Sequence, residues 1–239
     1  MKKLQLNPVF VKTKNVRNFE VMMDALSLAD GEGCFGMVYS RAGRGKTRTS
    51  QWYAAHNDCV YLRILSIWRT GELDFLKSFC MALNILSPSG RKGPAFADAV
   101  DNLMAKPRPV FLDEIEKMPQ TFLDLIRDIA DSAGIPMVLI GEEELVSYMQ
   151  RNRRVWSRTF QQLEFKPIEI ADIIMYAGES AGLKLPIPVA QMIHKASGGD
   201  FRLVKRDIIG LAQTANANQT TTVTEKMAGI VIKSGLSGR

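Results

Sequence analysis

Ser40-Arg41-Ala42-Gly43-Arg44-Gly45-Lys46-Thr47 follows the apolar run Cys34-Phe35-Gly36-Met37-Val38-Tyr39. An apolar strand that opens into a glycine-containing loop and closes on Gly-Lys-Thr is the pattern of a phosphate-binding loop. Glycines let backbone N–H groups turn inward around phosphates, the lysine reaches the β- and γ-phosphates, and the threonine hydroxyl takes a position on Mg²⁺. The helix that follows points its positive end at the anion. Gly43, Arg44, Gly45, Lys46, Thr47 and Arg48 are therefore the candidate nucleotide contacts. Ser40 stands where the pattern has its first glycine, and it must accept the turn that glycine usually makes. The alternative reading is a glycine-rich turn beside a basic helix start.

A second half follows about 65 residues downstream. Val110-Phe111-Leu112-Asp113-Glu114 is a short apolar run of the type that fills a parallel strand buried on both faces, and it ends in two acids. Beside a phosphate loop, Asp113 can enter the Mg²⁺ shell and Glu114 can orient and polarise an attacking water. Taken alone, two acids after an apolar run are an ordinary helix start. Together the two motifs fit one nucleotide site.

The chain of 239 residues is long enough for one large or two smaller domains. Its net charge of +6 suggests an anionic partner without requiring one. Basic residues gather at Lys2, Lys3, Lys12, Lys14 and Arg17, and again at Arg151, Arg153, Arg154 and Arg158. Cys34, Cys59 and Cys80 have no metal spacing, and with only His56 and His194 no Cys/His metal site is visible. No signal core and no run of the ~18 apolar residues that span a bilayer is present, so an intracellular, cytoplasmic protein with no anchor is expected.

Periodicity predicts a helix over 16–28 capped by Asn15 and closed by Asp30-Gly31, then helices over 46–56, 72–86, 95–105 and 121–133. Between them lie apolar strands at 34–39, 59–64, 110–114 and 135–140, with a basic surface turn at 87–94. Strands alternating with helices mean a parallel α/β sheet with covered faces. From about Pro167 no apolar strand run follows, and helices are predicted over 170–181, 188–197, 201–217 and 224–233. The expected organisation is a basic segment and helix over 1–30, an α/β nucleotide-binding domain over 31–166, and a small helical domain over 167–239.

The order of phosphate loop, Asp-Glu strand, third strand, Trp156-Ser157-Arg158-Thr159-Phe160 and helical region resembles the AAA+ ATPases over nearly the whole chain. The resemblance implies a P-loop AAA+ fold with a helical lid, ATP and Mg²⁺ as ligands, and a homo-oligomer with ATP at the subunit interfaces. Arg158 matches the arginine finger that enters a neighbour's site, with Arg153 and Arg154 as rivals. Gly198-Gly199-Asp200-Phe201-Arg202 matches the lid segment whose arginine senses the γ-phosphate, which gives Arg202 that role. Gly141-Glu142-Glu143 stands where the polar sensor is expected, so Glu142 either substitutes or the sensor is absent. Val11 and Val16 are candidates to cover an adenine.

Within that family the small size, basic amino end, Leu139-Ile140-Gly141-Glu142 and short lid look most like the Mu B-type target-selecting ATPases of DNA transposition. That resemblance implies an ATP-dependent filament on double-stranded DNA, bound without strong sequence preference and delivered to a transposase. About 30 residues precede the first strand, so the AAA+ module itself is expected to bind DNA. Position suggests Arg63, Arg69 and Lys77, then Arg91 and Lys92, as DNA contacts. The competing readings are a helicase loader, a small-molecule P-loop kinase, and a DNA-coating protein that uses ATP only structurally.

Overall fold

The computed structural model describes residues 4–29 and 35–236. Lys2, Lys3, Cys34 and the Asp30-Gly31 helix stop lie outside the described residues. The chain divides into two compact units, one α/β and one helical.

In the α/β unit, β1 (Phe35–Tyr39), β2 (Val60–Arg63), β3 (Val110–Asp113), β4 (Met137–Gly141) and β5 (Thr159–Glu164) form one parallel sheet in the order β2-β3-β4-β1-β5. Successive side chains point to opposite faces, and both faces are covered along β1, β3 and β4, which is why these three strands read as apolar runs. Phe35, Met37, Val110, Leu112, Met137 and Leu139 face one core with α3 (Glu72–Ala82), α4 (Lys92–Ala105) and α5 (Thr121–Ala133). The alternate residues Val38, Phe111, Val138 and Ile140 face a second core, shared with Phe19, Met22, Met23 and Leu26 of α1 (Lys14–Ser27) and partly with Tyr53 and Ala54 of α2 (Lys46–His56). Gly36 has a packing reason: a Cβ there would fall 2.7 Å from Leu26 Cδ1.

Several boundaries differ from the periodicity. The first helix begins at Lys14, so Asn15 lies inside it rather than capping it. The Asn15 side chain instead bonds the backbone of Lys166 in both directions, at 2.8 and 3.0 Å. The third helix stops at Ala82, ahead of Asn84 in the left-handed region (φ 67). The fourth starts at Lys92, with Pro94 inside its first turn, where a missing N–H costs nothing. Two short 3₁₀ turns, Ser66–Thr70 and Ile115–Lys117, were not expected, nor were α6 (Glu144–Gln150) and α7 (Arg153–Trp156).

The largest correction is β5, because no strand was expected between β4 and the helical region. Its sequence, Thr159-Phe160-Gln161-Gln162-Leu163-Glu164, is polar because it is an edge strand that pairs β1 alone and alternates half-buried with exposed positions.

The helical unit comprises residues 4–17, 42–45 and 166–236. Its helices are α8 (Ile170–Ala181), α9 (Ile187–Ser197), α10 (Phe201–Ala217) and α11 (Glu225–Leu236), around a core that includes Ile173, Val189, Ile193, Val204, Ile208 and Leu211. Gly182 and Gly198 end α8 and α9 in the left-handed conformation that favours glycine. The amino-terminal segment joins this core. Leu4 exchanges two hydrogen bonds with the Asn216 side chain, and Val11 is buried among the helices. Val11 is therefore a core residue, and Val16 is also buried.

Phe19 has no exposed surface and meets Tyr53, Phe111 and Phe165 edge-on at centroid distances of 5.4, 5.7 and 6.5 Å. Phe19→Ala is expected to destabilise the α/β unit by about 3–5 kcal/mol, read as a lowered urea midpoint at unchanged slope.

Candidate nucleotide site

The parallel register sets the carboxyl ends of the central strands level. Arg63 aligns with Asp113, Asp113 with Ile140, and Tyr39 with Gly141. The loop after β1 and the acids after β3 thus emerge at one sheet edge, where α/β folds collect their ligands. Gly43 (φ 80) and Gly45 (φ 96) take the left-handed turns that the loop needs. Ser40 is not among the positive-φ residues, so serine fits where the motif has glycine.

Lys46 is nearly buried and folds back on the loop, donating to Ser40 O at 2.7 Å, Ser40 Oγ at 3.0 Å and Arg41 O at 3.1 Å. The inner loop residues 42–45 group with the helical unit. Phe201 N–H donates to Gly43 O at 2.9 Å, and Arg44 donates to Gly198 O at 2.7 Å. A Cβ on Gly43 would lie 2.1 Å from an Asp200 carboxylate oxygen and would have to displace it, on a backbone already in the left-handed region. Arg48 is exposed on α2.

Asp113 is 2% exposed, and its Oδ2 accepts from Thr47 Oγ1 and from Tyr61 Oη, each at 2.7 Å. Asp113 has no ion pair among the described residues. Asp113 is held by two neutral hydroxyls rather than by a cationic side chain, and Thr47 retains lone pairs for an incoming ion. Thr47 and Asp113 are oxygen donors suited to Mg²⁺, which takes one or two protein ligands and fills its shell with water and phosphate. The fit is to that partial set: no cluster of three or more metal-ligating His, Cys, Asp or Glu exists among the described residues.

Glu114 follows in a left-handed conformation (φ 63), unusual for a side-chain-bearing residue. Its N–H donates to Ile140 O at 2.8 Å, which fixes the turn. Oε1 accepts from Arg63 at 2.7 Å and Oε2 from Lys117. Burial opposes the charge of Glu114, but the hydrogen bonds from these two cations prevail and hold its pKa below the ordinary value. Arg69 donates from Nε to Lys117 O at 2.6 Å. Two residues picked as DNA contacts, Arg63 and Arg69, are thus built into the surroundings of Glu114. Lys77 is half-buried on α3, Arg91 is exposed, and Lys92 pairs with Glu72.

Glu142 occupies the turn after β4, where its N–H donates to Glu116 Oε1 at 3.0 Å. The other oxygen of Glu116 is buried without a partner, and burial raises the Glu116 pKa. Arg158 is exposed, pairs with Asp131 at 3.2 Å and donates to Arg154 O at 3.1 Å; Arg153 and Arg154 are exposed on α7. Arg202 lies exposed in the first turn of α10, in the helical unit, with its N–H on the capping Asp200 carboxylate at 2.7 Å. Sequence reasoning missed Tyr61, Glu116 and Lys117. Lys117, three residues after Glu114, was findable from its i, i+3 spacing.

Known proteins resemble this chain in sequence and in fold. A family model described as an AAA domain matches residues 30–149. The Mu-like prophage FluMu DNA transposition protein B of Haemophilus influenzae is 25% identical over 202 residues, which cover 80% of this chain and 69% of that protein. The ATP-dependent target DNA activator B of Escherichia phage Mu is 25% identical over 158 residues, 65% of this chain; the match spans half the length of the phage protein. Among solved structures, the ORC2 protein of Aeropyrum pernix in its ADPNP-ADP complexes superposes with a TM-score of 0.67 over 98% of this chain and 70% of that one, at 13% identity, which speaks for the fold alone. With the match spanning the phosphate loop, the Asp-Glu strand and four of the five strands of the sheet, the chain belongs to the AAA domain family.

Proposed function

We propose that this chain is an ATP-dependent, sequence-nonspecific DNA-binding ATPase that assembles on target DNA and delivers it to a transposase. The observation that carries the ATPase half is the 2.7 Å hydrogen bond joining Thr47 of the phosphate loop to the buried Asp113. The likeness to the transposition B proteins supports the DNA half.

Gly43, Arg44, Gly45 and Arg48 border the phosphates, and Lys46 leaves the carbonyls of Ser40 and Arg41 to reach them. Thr47 and Asp113 would hold Mg²⁺, which when bound neutralises charge on the β- and γ-phosphates. Glu114 orients the attacking water once it is released from Arg63 and Lys117, so the resting clamp suits a slow enzyme that its assembly must wake. Arg158 leaves Asp131 to enter a neighbouring subunit's site, and Arg202 reads the γ-phosphate from the lid. ATP thereby holds subunits together, and hydrolysis loosens them.

Charge is unevenly spread. The described segments of the helical unit hold twelve Lys and Arg against six Asp and Glu, a net +6; those of the α/β unit hold sixteen against seventeen, a net −1. Affinity for a phosphate backbone rises with each neutralised phosphate and falls with salt. Besides Arg63, Arg69, Lys77, Arg91 and Lys92, the exposed Lys195, Lys205 and Lys226 of the helical unit are therefore candidate contacts.

Glu114→Gln is expected to cut ATP turnover at least about 100-fold while leaving ATP binding intact, and to trap protein on DNA in pelleting assays. Release of DNA as fast as wild type would refute the hydrolysis switch. Arg158→Ala is expected to lower DNA-stimulated turnover by about 10³-fold or more. Mixing it with Lys46→Ala subunits should restore part of that activity, since wild-type arginine then faces an intact site; no recovery would move the finger to Arg153 or Arg154. Reversing Lys205 and Lys226 to Glu should lower the slope of log affinity against log salt by about one per lost phosphate contact, and an unchanged slope would return DNA binding to the α/β unit.

A further inference from the structure

We infer that Tyr61 is a positioning residue for Asp113: its hydroxyl fixes the carboxylate in the orientation that receives a divalent cation. The inference rests on the nucleotide-site reading above and adds a residue that lies outside both motifs.

The sheet register makes the contact. In parallel β2 and β3, Tyr61 pairs with Phe111 and Arg63 with Asp113, so Tyr61 and Asp113 stand on the same face of adjacent strands, two positions out of step. The Tyr61 ring is half-buried and packs against the core that contains Phe111 and Val138. From that anchored ring the hydroxyl reaches Asp113 Oδ2 at 2.7 Å. Thr47 Oγ1 meets the same oxygen at the same distance.

The two donors are not equivalent. Thr47 sits in the phosphate loop, where its hydroxyl also offers lone pairs to the cation. Tyr61 comes from the adjacent strand on a rigid ring and donates its proton to Asp113, while its oxygen meets the Gln51 side chain. Without the Tyr61 hydroxyl, the Thr47 hydroxyl alone restrains the carboxylate about χ2, a broad torsion. A cationic donor in this place would cancel the charge of Asp113, whereas a neutral hydroxyl aims the carboxylate and leaves its charge available.

Tyr61→Phe removes one oxygen and keeps the ring. Binding of a fluorescent ATP analogue is measured in EDTA and then along a Mg²⁺ titration, with thermal melting of the nucleotide-free proteins as a check on folding. The expected result is a half-saturating Mg²⁺ concentration raised about tenfold, as for loss of a hydrogen bond to a charged group, with affinity in EDTA unchanged and the nucleotide-free variant still folded at the assay temperature. In an Asp113→Asn background the same change should add nothing, a result that stands even if Tyr61→Phe alone costs stability. A wild-type Mg²⁺ midpoint in Tyr61→Phe, or a loss of affinity equal in EDTA and in Mg²⁺, would overturn the positioning role and leave the nucleotide site standing. Wild-type protein that binds the analogue in neither condition would overturn the nucleotide-site reading and this inference with it.

Discussion

A carboxylate taken out of water must be compensated, and Asp113 is the place where this fold meets that demand. Its side chain is 2% exposed, at the end of a strand apolar on both faces, and two hydroxyls converge on one of its oxygens. That convergence requires β1, β2 and β3 to run parallel and in register, because Thr47 follows β1, Tyr61 lies on β2 and Asp113 ends β3. The two hydrophobic cores on the sheet's faces hold that register. Large aliphatic and aromatic side chains alternating across β1, β3 and β4 make any one-residue slip bury the wrong set.

The next residue is strained rather than stabilised. Glu114 takes a left-handed backbone conformation, which costs of order 1 kcal/mol and persists only where its surroundings over-determine it. The Ile140 carbonyl, Arg63 and Lys117 supply that determination. They also hold the carboxylate away from free solvent and keep it ionised. In the role proposed for it, Glu114 is quiet while the two cations hold it, and a polyanion would compete for those cations. Arg69, bonded to the backbone of Lys117, ties the turn after β2 to the same network.

The phosphate loop and the Asp-Glu strand were legible in the sequence because each is a local pattern with a local mechanism. The same holds for α2, α5, α8 and α10, whose ends match the periodicity residue for residue. What stayed hidden depended on distant partners. The chain β5 is polar, since an edge strand beside β1 needs only one packed face, and Gln161-Gln162 conceals it. Asn15 looks like a helix cap until Lys166, 151 residues away, proves to be its partner. Tyr61 is a single aromatic in a short strand, and only the register of β2 on β3 brings it to Asp113. The charge division between the units could not be read along the chain either, because the helical unit draws on three separated segments.

That division and the Asp113 site meet in one claim, that nucleotide governs assembly of this chain on DNA. Sedimentation velocity of the purified protein with duplex DNA, run in ATP and in ADP, tests it most directly. The account predicts large, salt-sensitive protein–DNA species in ATP that revert to small ones in ADP. Particles of the same size in both nucleotides, with or without DNA, would contradict it.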